Sequence, residues 1–297
     1  MTTAAEALRS LAPDATADVA LDVVGRVLAA VGVPSPRVDA ELLLGHVAGW
    51  TRGEVRVRAL TGAPLAPGVP EALVAAATRR ASREPLQHVT GTAAFRALEL
   101  EVGPGVFVPR PETEGVAQVA INALRASADP SPVAVDLCTG SGAIALALAT
   151  EVPTARVHAV ELSPEALRWT RRNVARTGAD LHLVEGDLAD ALPELDGTVD
   201  VVVSNPPYVP TGMVPRDPEV RLHDPALALY GGADGLDVVR SLSVTGLRLL
   251  RPGGLLVVEH GEHQGAAVRA VLDADGWRGS ATHPDLTGRD RTTTATR

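Results

Sequence analysis

Apolar positions recur in two rhythms along this chain, and the rhythm changes near residue 113. Up to about residue 85 the spacing is helical. In "ADVALDVVGRVLAAVGV" (17–33), Val19, Val23, Val27, Ala30 and Val31 fall close to one helical face. "PRVDAELLLGHVAG" (36–49) repeats the pattern behind two prolines that interrupt the chain, and "VPEALVAAATRRASRE" (69–84) predicts a third helix with Pro70 and Glu71 in its first turn. Residues 1–85 are therefore expected to form a small helical bundle. From 86 to 108 the helical period is lost. "FRALELEVGPGVFVP" alternates as a strand pair would, with "GPG" expected as its turn, and reads as a linker between two domains.

From 109 to 297 a second domain is expected. Its apolar runs "VAVDL" (133–137), "RVHAVEL" (156–162), "LHLVEG" (181–186), "VDVVVSN" (199–205) and "GLLVVEHG" (254–261) alternate with helical segments at 142–151, 163–177, 235–250 and 262–276. Strands that are apolar throughout, separated by amphipathic helices, indicate an α/β fold with a parallel sheet covered on both faces. The threonine-rich tail after 277 predicts closing strands, antiparallel to the rest. In such sheets ligands bind beyond the carboxyl ends of the strands, so the chemistry is sought there.

Composition narrows the field. The chain has 297 residues, 36 acidic against 27 basic, and a net charge of −9, a poor balance for tracking phosphate backbones. Its single cysteine, Cys138, excludes an internal disulfide framework and a cysteine-cluster metal centre, and fits a reducing compartment. The eight histidines, His260 among them, show no ligand spacing, and no metal is expected. With no apolar run of about 18 residues and no leader-like start, a soluble cytoplasmic protein is expected, with no membrane partner.

The first parallel run continues into "DLCTGSGAIALALA", which places Gly140 and Gly142 at the opening of a helix. Glycines there let a backbone approach a ligand closely, and helix-start N–H groups are expected to receive an anionic or polar group. The loop lacks the third glycine of a dinucleotide site and the lysine of a triphosphate site, so a ligand with a single carboxylate fits better than a pyrophosphate. The next strand ends in Glu161, suited to two ribose hydroxyls, and the one after it in Asp187, suited to an adenine amino group. An adenosine with a cationic, carboxylate-bearing tail satisfies all of these features. S-adenosylmethionine is such a molecule, with S-adenosylhomocysteine as its product.

The fourth strand runs into Asn205, Pro206, Pro207 and Tyr208. A planar NH2 whose lone pair is delocalised is a poor nucleophile; peptide resonance, with a rotation barrier of about 18–20 kcal/mol, shows the scale. To pyramidalise toward a methyl donor, that nitrogen needs two fixed acceptors. The Asn205 side-chain carbonyl and the Pro206 backbone carbonyl are the candidates, with Tyr208 as a flat face for a planar amide or base. As a bland alternative, the stretch is a double-proline turn closing a strand, with Tyr208 as a packing aromatic.

Together these residues resemble class I S-adenosylmethionine-dependent methyltransferases that modify amino nitrogens. More narrowly they resemble the release factor glutamine methyltransferase family, through "EPLQHVTG" (84–91), "FVPRPETE" (107–114), the glycine loop, "SNPPYVP" (204–210), "EHG" (259–261) and "DLTGRD" (285–290). The resemblance implies a Rossmann-like methyltransferase sheet and transfer of a methyl group to the side-chain amide (N5) of the glutamine in the Gly-Gly-Gln motif of peptide chain release factors. It implies that Phe107, Cys138, Thr139, Gly140, Ser141, Gly142, Glu161, Asp187, Leu188 and Asn205 hold the cofactor. Arg110 and Glu112 would line the substrate mouth, and Asn205, Pro206, Pro207 and Tyr208 would hold the amide, with Asn205, Pro206 and Tyr208 catalytic. Three positions depart from the family pattern: Cys138 where glycine is usual, which fits if its φ is negative; Glu161 for aspartate; and His88 for tyrosine.

The alternatives are a ribosomal protein glutamine methyltransferase, a nucleic-acid adenine N6 methyltransferase, and a silent cofactor-binding adaptor. The acidic balance and a total of three Trp, two Tyr and two Phe count against a nucleic-acid partner.

Overall fold

In the computed structural model, which describes residues 4–297, the chain forms two compact units: 4–91 with 216–223, and 92–215 with 224–297. The first is helical: α1 (Ala4–Arg9), α2 (Ala17–Ala30), α3 (Pro36–Ala48), α4 (Arg52–Leu60), α5 (Val69–Ala81) and α6 (Leu86–Thr90). Its core is built on Leu21, Val24, Leu28, Leu43, Leu44 and Leu73. The buried stripe of α2 is Ala17, Ala20, Leu21, Val24, Val27 and Leu28, whereas Val19 is 46% exposed. The valines had suggested a face rotated from the true one, because the larger leucines set the phase. Helix α4 escaped notice because only Val55 on it is buried. Its start is nevertheless marked by a capping box in which Thr51 and Glu54 each accept from the other's backbone N–H.

The unit extends past residue 85. His88 sits buried on α6 inside it, not in a linker, and residues 216–223 return to it much later in the chain. That return carries α10 (Pro218–His223), whose buried Glu219 accepts from Arg80 at 2.6 Å and from both Nε and Nη2 of Arg83 at 2.8 and 2.5 Å. Arg80 also donates to Asp39 on α3 at 2.7 Å. Burial would raise the Glu219 carboxyl, but Arg83 and Arg80 outweigh it and hold it well below the usual range.

The second unit opens with an antiparallel hairpin, β1 (Thr92–Phe95) and β2 (Leu98–Glu101). Its turn is Arg96–Ala97, with Arg96 at φ 54°, rather than the expected "GPG", which follows the second strand. After α7 (Thr113–Ala126) come β3 (Val133–Leu137), α8 (Ala143–Glu151), β4 (Arg156–Glu161), α9 (Pro164–Thr177), β5 (His182–Glu185) and β6 (Val199–Ser204). Then follow α11 (Ala226–Leu229), α12 (Asp237–Leu249), β7 (Leu250–Glu259), α13 (Gly265–Ala274), β8 (Arg278–Pro284) and β9 (Asp290–Thr296).

The seven-stranded sheet has the order β5-β4-β3-β6-β7-β9-β8. Strands β3 to β7 run parallel, and β8 and β9 close the edge antiparallel, as the tail predicted. Strands β3 and β6 are buried along their whole length, which explains their unbroken valines. The chain builds outward from β3 to β5, then crosses back to start β6 on the other side. The crevice of this doubly wound sheet therefore opens between the carboxyl ends of β3 and β6.

Candidate functional site

Strand register brings the candidate residues into one row. Leu137 pairs with Val160 on one side and Ser204 on the other, and Ser204 pairs with Val258. The next residues, Glu161, Cys138, Asn205 and Glu259, therefore stand side by side at the carboxyl edge. The Ser204 hydroxyl donates to the Leu137 carbonyl at 2.6 Å and locks β3 to β6 at that edge.

The glycine loop is braced from below and beside. Asp136, fully buried on β3, accepts from the Thr139 hydroxyl at 2.6 Å and the Ala145 N–H at 3.1 Å. Its Oδ1 has no hydrogen-bond partner, and burial pushes the carboxyl up to about 7. From α9, the Thr170 hydroxyl donates to the Gly140 carbonyl and Asn173 to the Ser141 carbonyl. Gly142, at φ 85°, leaves no room for a side chain: a Cβ there would lie 2.8 Å from Thr170 Cγ2. Gly140, at φ 60°, faces open space.

Two expectations about this loop need correction. The N–H groups of Thr139, Gly140 and Gly142 are not waiting for a ligand; they donate to the Val160 carbonyl, Glu161 Oε2 and the Thr139 carbonyl. Those three donors are used within the turn and by β4, and open backbone at Gly140 lies beside them. Cys138 has φ +63°, not the negative φ that would let a side chain sit easily. It occupies a glycine conformation, partly buried, with burial and the nearby Glu161 carboxylate holding its thiol protonated.

Glu161 is buried, and its carboxylate spans the loop and the next helix start, taking Gly140 N–H and Ser163 N–H at 2.8 Å each. Burial raises its pKa, and those backbone donors oppose the rise. Of the pair suggested for adenine, Leu188 is buried in the core, while Asp187 is exposed and accepts from its neighbour Ala189 N–H.

Asn205 and Tyr208 each have a partner that the motifs did not announce. Asn205 Nδ2 donates to Thr113 Oγ1 at 3.3 Å, and the Tyr208 hydroxyl points at Glu259 Oε1, 3.5 Å away. Behind the two prolines the backbone is packed shut. Gln264 Nε2 donates to the Tyr208 carbonyl at 2.9 Å, and Gly231 and Gly235 lie so close that a Cβ would come within 2.4 Å of the Pro207 oxygen and 2.2 Å of the Tyr208 oxygen. Gly231, Gly235 and Gln264 were missed because isolated glycines and a surface-like glutamine carry no pattern.

Phe107 lies under the Arg110 guanidinium, 5.0 Å from ring centroid to Cζ. Arg110 pairs at 2.9 Å with Asp224, whose side chain is fully buried, rather than with Glu112, which precedes α7. His260 is structural, as expected: its rings atoms meet Thr293 Oγ1 and the Gly261 carbonyl, both at 2.9 Å. Among the described residues no cluster of three His, Cys, Asp or Glu is arranged to hold a metal ion, and no helix is long and apolar enough to cross a membrane.

Residues 20–91 match the family described as PrmC N-terminal domain, and residues 98–217 match the methyltransferase small domain. Among curated proteins, the release factor glutamine methyltransferase of Streptomyces coelicolor is 55% identical over 275 residues, 90% of this chain and 93% of that one. A protein of Streptomyces pristinaespiralis named 4-amino-L-phenylalanine/4-methylamino-L-phenylalanine methyltransferase is 43% identical over 86% of each chain. Among solved structures, a methyltransferase from Pyrococcus furiosus shares the fold at a TM-score of 0.50 and 20% identity, covering 68% of this chain and 90% of that one. Identity this high, carried through the helical unit and the sheet alike, makes the chain a member of the release factor glutamine methyltransferase family.

Proposed function

We propose that this enzyme methylates the side-chain amide nitrogen (N5) of the glutamine in the Gly-Gly-Gln motif of peptide chain release factors, in the cytoplasm. The observation that carries the reading is the single row formed by the glycine loop, Glu161 and Asn205 across the crevice between β3 and β6. Near-full-length identity to a protein named for that activity supports the substrate.

S-adenosylmethionine supplies an electrophilic methyl group on a sulfonium. The residues present fit it: open backbone at Gly140, the buried Glu161 carboxylate one strand away, and the unpartnered Asp136 Oδ1 suit a ligand bearing hydroxyls and positive charge. Thr139, Ser141 and Gly142 hold the loop's shape, Cys138 continues it toward Asn205, and Phe107 and Leu188 offer apolar contact. Asp187 is left an exposed place at the rim.

For the acceptor, Asn205 Oδ1 and the Pro206 carbonyl would receive the two N–H hydrogens of the amide. With the Tyr208 carbonyl taken by Gln264 and the Pro207 carbonyl packed on Gly231, the first two residues of the motif are left to face a substrate. Two fixed acceptors draw the lone pair out of resonance and aim it, which is catalysis by positioning and by dipoles set in advance. The amide nitrogen sheds one proton during or after transfer. Tyr208 gives the amide a flat wall, and Arg110 and Glu112 flank the entrance.

The test is peptide mass spectrometry of a purified release factor after incubation with the enzyme and S-adenosylmethionine, beside duplex DNA, ribosomal proteins and 4-aminophenylalanine. One methyl on the Gly-Gly-Gln glutamine is the expected result; methyl on another acceptor alone would overturn the substrate and keep the chemistry. Asn205→Ala should lower kcat about tenfold or more while leaving cofactor affinity within about threefold, since a lost acceptor is worth roughly 1–3 kcal/mol. Unchanged turnover would remove Asn205 from the mechanism.

A further inference from the structure

Two motif residues have no part in the reaction as described so far, Thr113 of "PETE" and Glu259 of "EHG". Both are buried, at 4% and 1% exposed, and both meet the amide-binding segment: Thr113 Oγ1 accepts from Asn205 Nδ2, and Glu259 Oε1 faces the Tyr208 hydroxyl. Glu259 stands level with Asn205 because Val258 pairs with Ser204. Its Oε2 has no hydrogen-bond partner.

An asparagine amide can sit in either of two orientations related by a half turn, and only one of them aims its oxygen at a substrate NH2. Choosing between them requires a neighbour of fixed polarity. A hydroxyl does not supply one by itself, since it both donates and accepts, whereas an ionised carboxylate only accepts. A threonine beside a carboxylate has its single hydrogen committed, so its oxygen is left to accept.

We propose that Thr113 and Glu259 are positioning residues: the ionised Glu259 engages the Thr113 hydroxyl hydrogen, Thr113 Oγ1 must then accept from Asn205 Nδ2, and Asn205 Oδ1 is turned to the substrate amide. The same carboxylate steadies the Tyr208 hydroxyl. The inference rests on the amide-methylation reading for its substrate and, for the relay, on the contacts of Thr113 with Asn205 and of Glu259 with Tyr208 in the row set by strand register. Groups from every side act on the charge of Glu259. Burial pushes it up to about 7; the Thr113 hydroxyl, Arg291 on β9 and the Tyr208 hydroxyl favour the ionised form, and Glu112 ahead of α7 opposes it. Below that pH a protonated Glu259 can donate to Thr113, the polarity of the relay is lost, and Asn205 is free to turn over.

The experiment compares Thr113→Val, which keeps the shape without the hydroxyl, Thr113→Ser, which restores it, and Glu259→Gln, all in the full-length enzyme from pH 5.5 to 8.5. For Thr113→Val kcat should fall about tenfold or more, with KM and cofactor affinity within about threefold, and Thr113→Ser should recover most of the loss. Wild-type kcat should decline below about pH 7, and Glu259→Gln should remove that limb. The side-chain NH2 resonances of Asn205, identified by their loss in Asn205→Asp, should titrate with the same midpoint in wild type and not in Glu259→Gln. Full activity in Thr113→Val, no recovery in Thr113→Ser, or an Asn205 signal blind to pH would overturn the relay. If the wild type leaves release factors untouched, the substrate reading fails alone, because the Asn205 titration still decides the relay. It decides likewise if Thr113→Val does not fold.

Discussion

Cys138 holds a left-handed backbone conformation that most side chains resist, at a cost of roughly 1–2 kcal/mol. Glycine would relieve that strain and give back about 0.5–1 kcal/mol through a freer unfolded chain. Cys138→Gly should therefore be neutral to stabilising by about 1 kcal/mol, while Cys138→Ala keeps the strain and loses thiol contacts. Urea denaturation of the two variants measures the gap, and equal stability would show that the φ there is carried without strain. The residue scale is also where the sequence was least readable. Glu161 and Asn205 stand out in the sequence because they lie at strand ends, a feature of pattern. Thr113, Glu259 and Gln264 meet partners 51 to 92 residues away and Asp136 is fully buried, which no local spacing encodes. The φ of Cys138 was misjudged because the turn, not the residue, dictates it.

At the scale of elements, the central strands β3 and β6 were legible to within a few residues, because burial on both faces makes each a predominantly apolar run. The helices of the first unit were harder. Alanine-rich and valine-rich faces are similar in α2, and α4 buries a single side chain. The ion cluster joining α3, α5 and α10 was invisible, since its members are scattered through polar stretches. Glu219→Gln should destabilise the protein at neutral pH by roughly 3 kcal/mol, the scale expected when one partner of a buried ion pair is removed. Because the folded Glu219 carboxyl is lowered from 4.5, its contribution is present above that pH and is lost as pH falls through the folded value. Melting curves of wild type and variant should therefore converge in acid. A constant gap down to pH 3 would mean that the charge of Glu219 does not matter.

At the scale of the whole molecule, the division into a helical unit and a methyltransferase sheet was readable from the change of rhythm, but the true partition is discontinuous. The helical unit resumes at 216–223, between the strand-end motif and α12. A boundary drawn once along the sequence cannot express a chain that crosses three times.

That discontinuity constrains how the protein is born. Emerging from the ribosome, residues 1–91 leave the tunnel long before Glu219, which is 139 residues beyond Arg80. Until then Arg80 relies on the Asp39 carboxylate and Arg83 on the Val31 and Gly32 carbonyls, and the bundle lacks the buried counter-charge of Glu219. Completing it requires a loop closure of low entropy cost per added residue but long delay, with β3 to β6 synthesised in the interval. Nascent chains stalled with residue 215 just exposed should thus be cut by protease within 1–91, and chains stalled with 223 well clear should resist. Early resistance would show a bundle able to mature alone. The enzyme's N-terminal unit, first to be made, is by this design among the last to be finished.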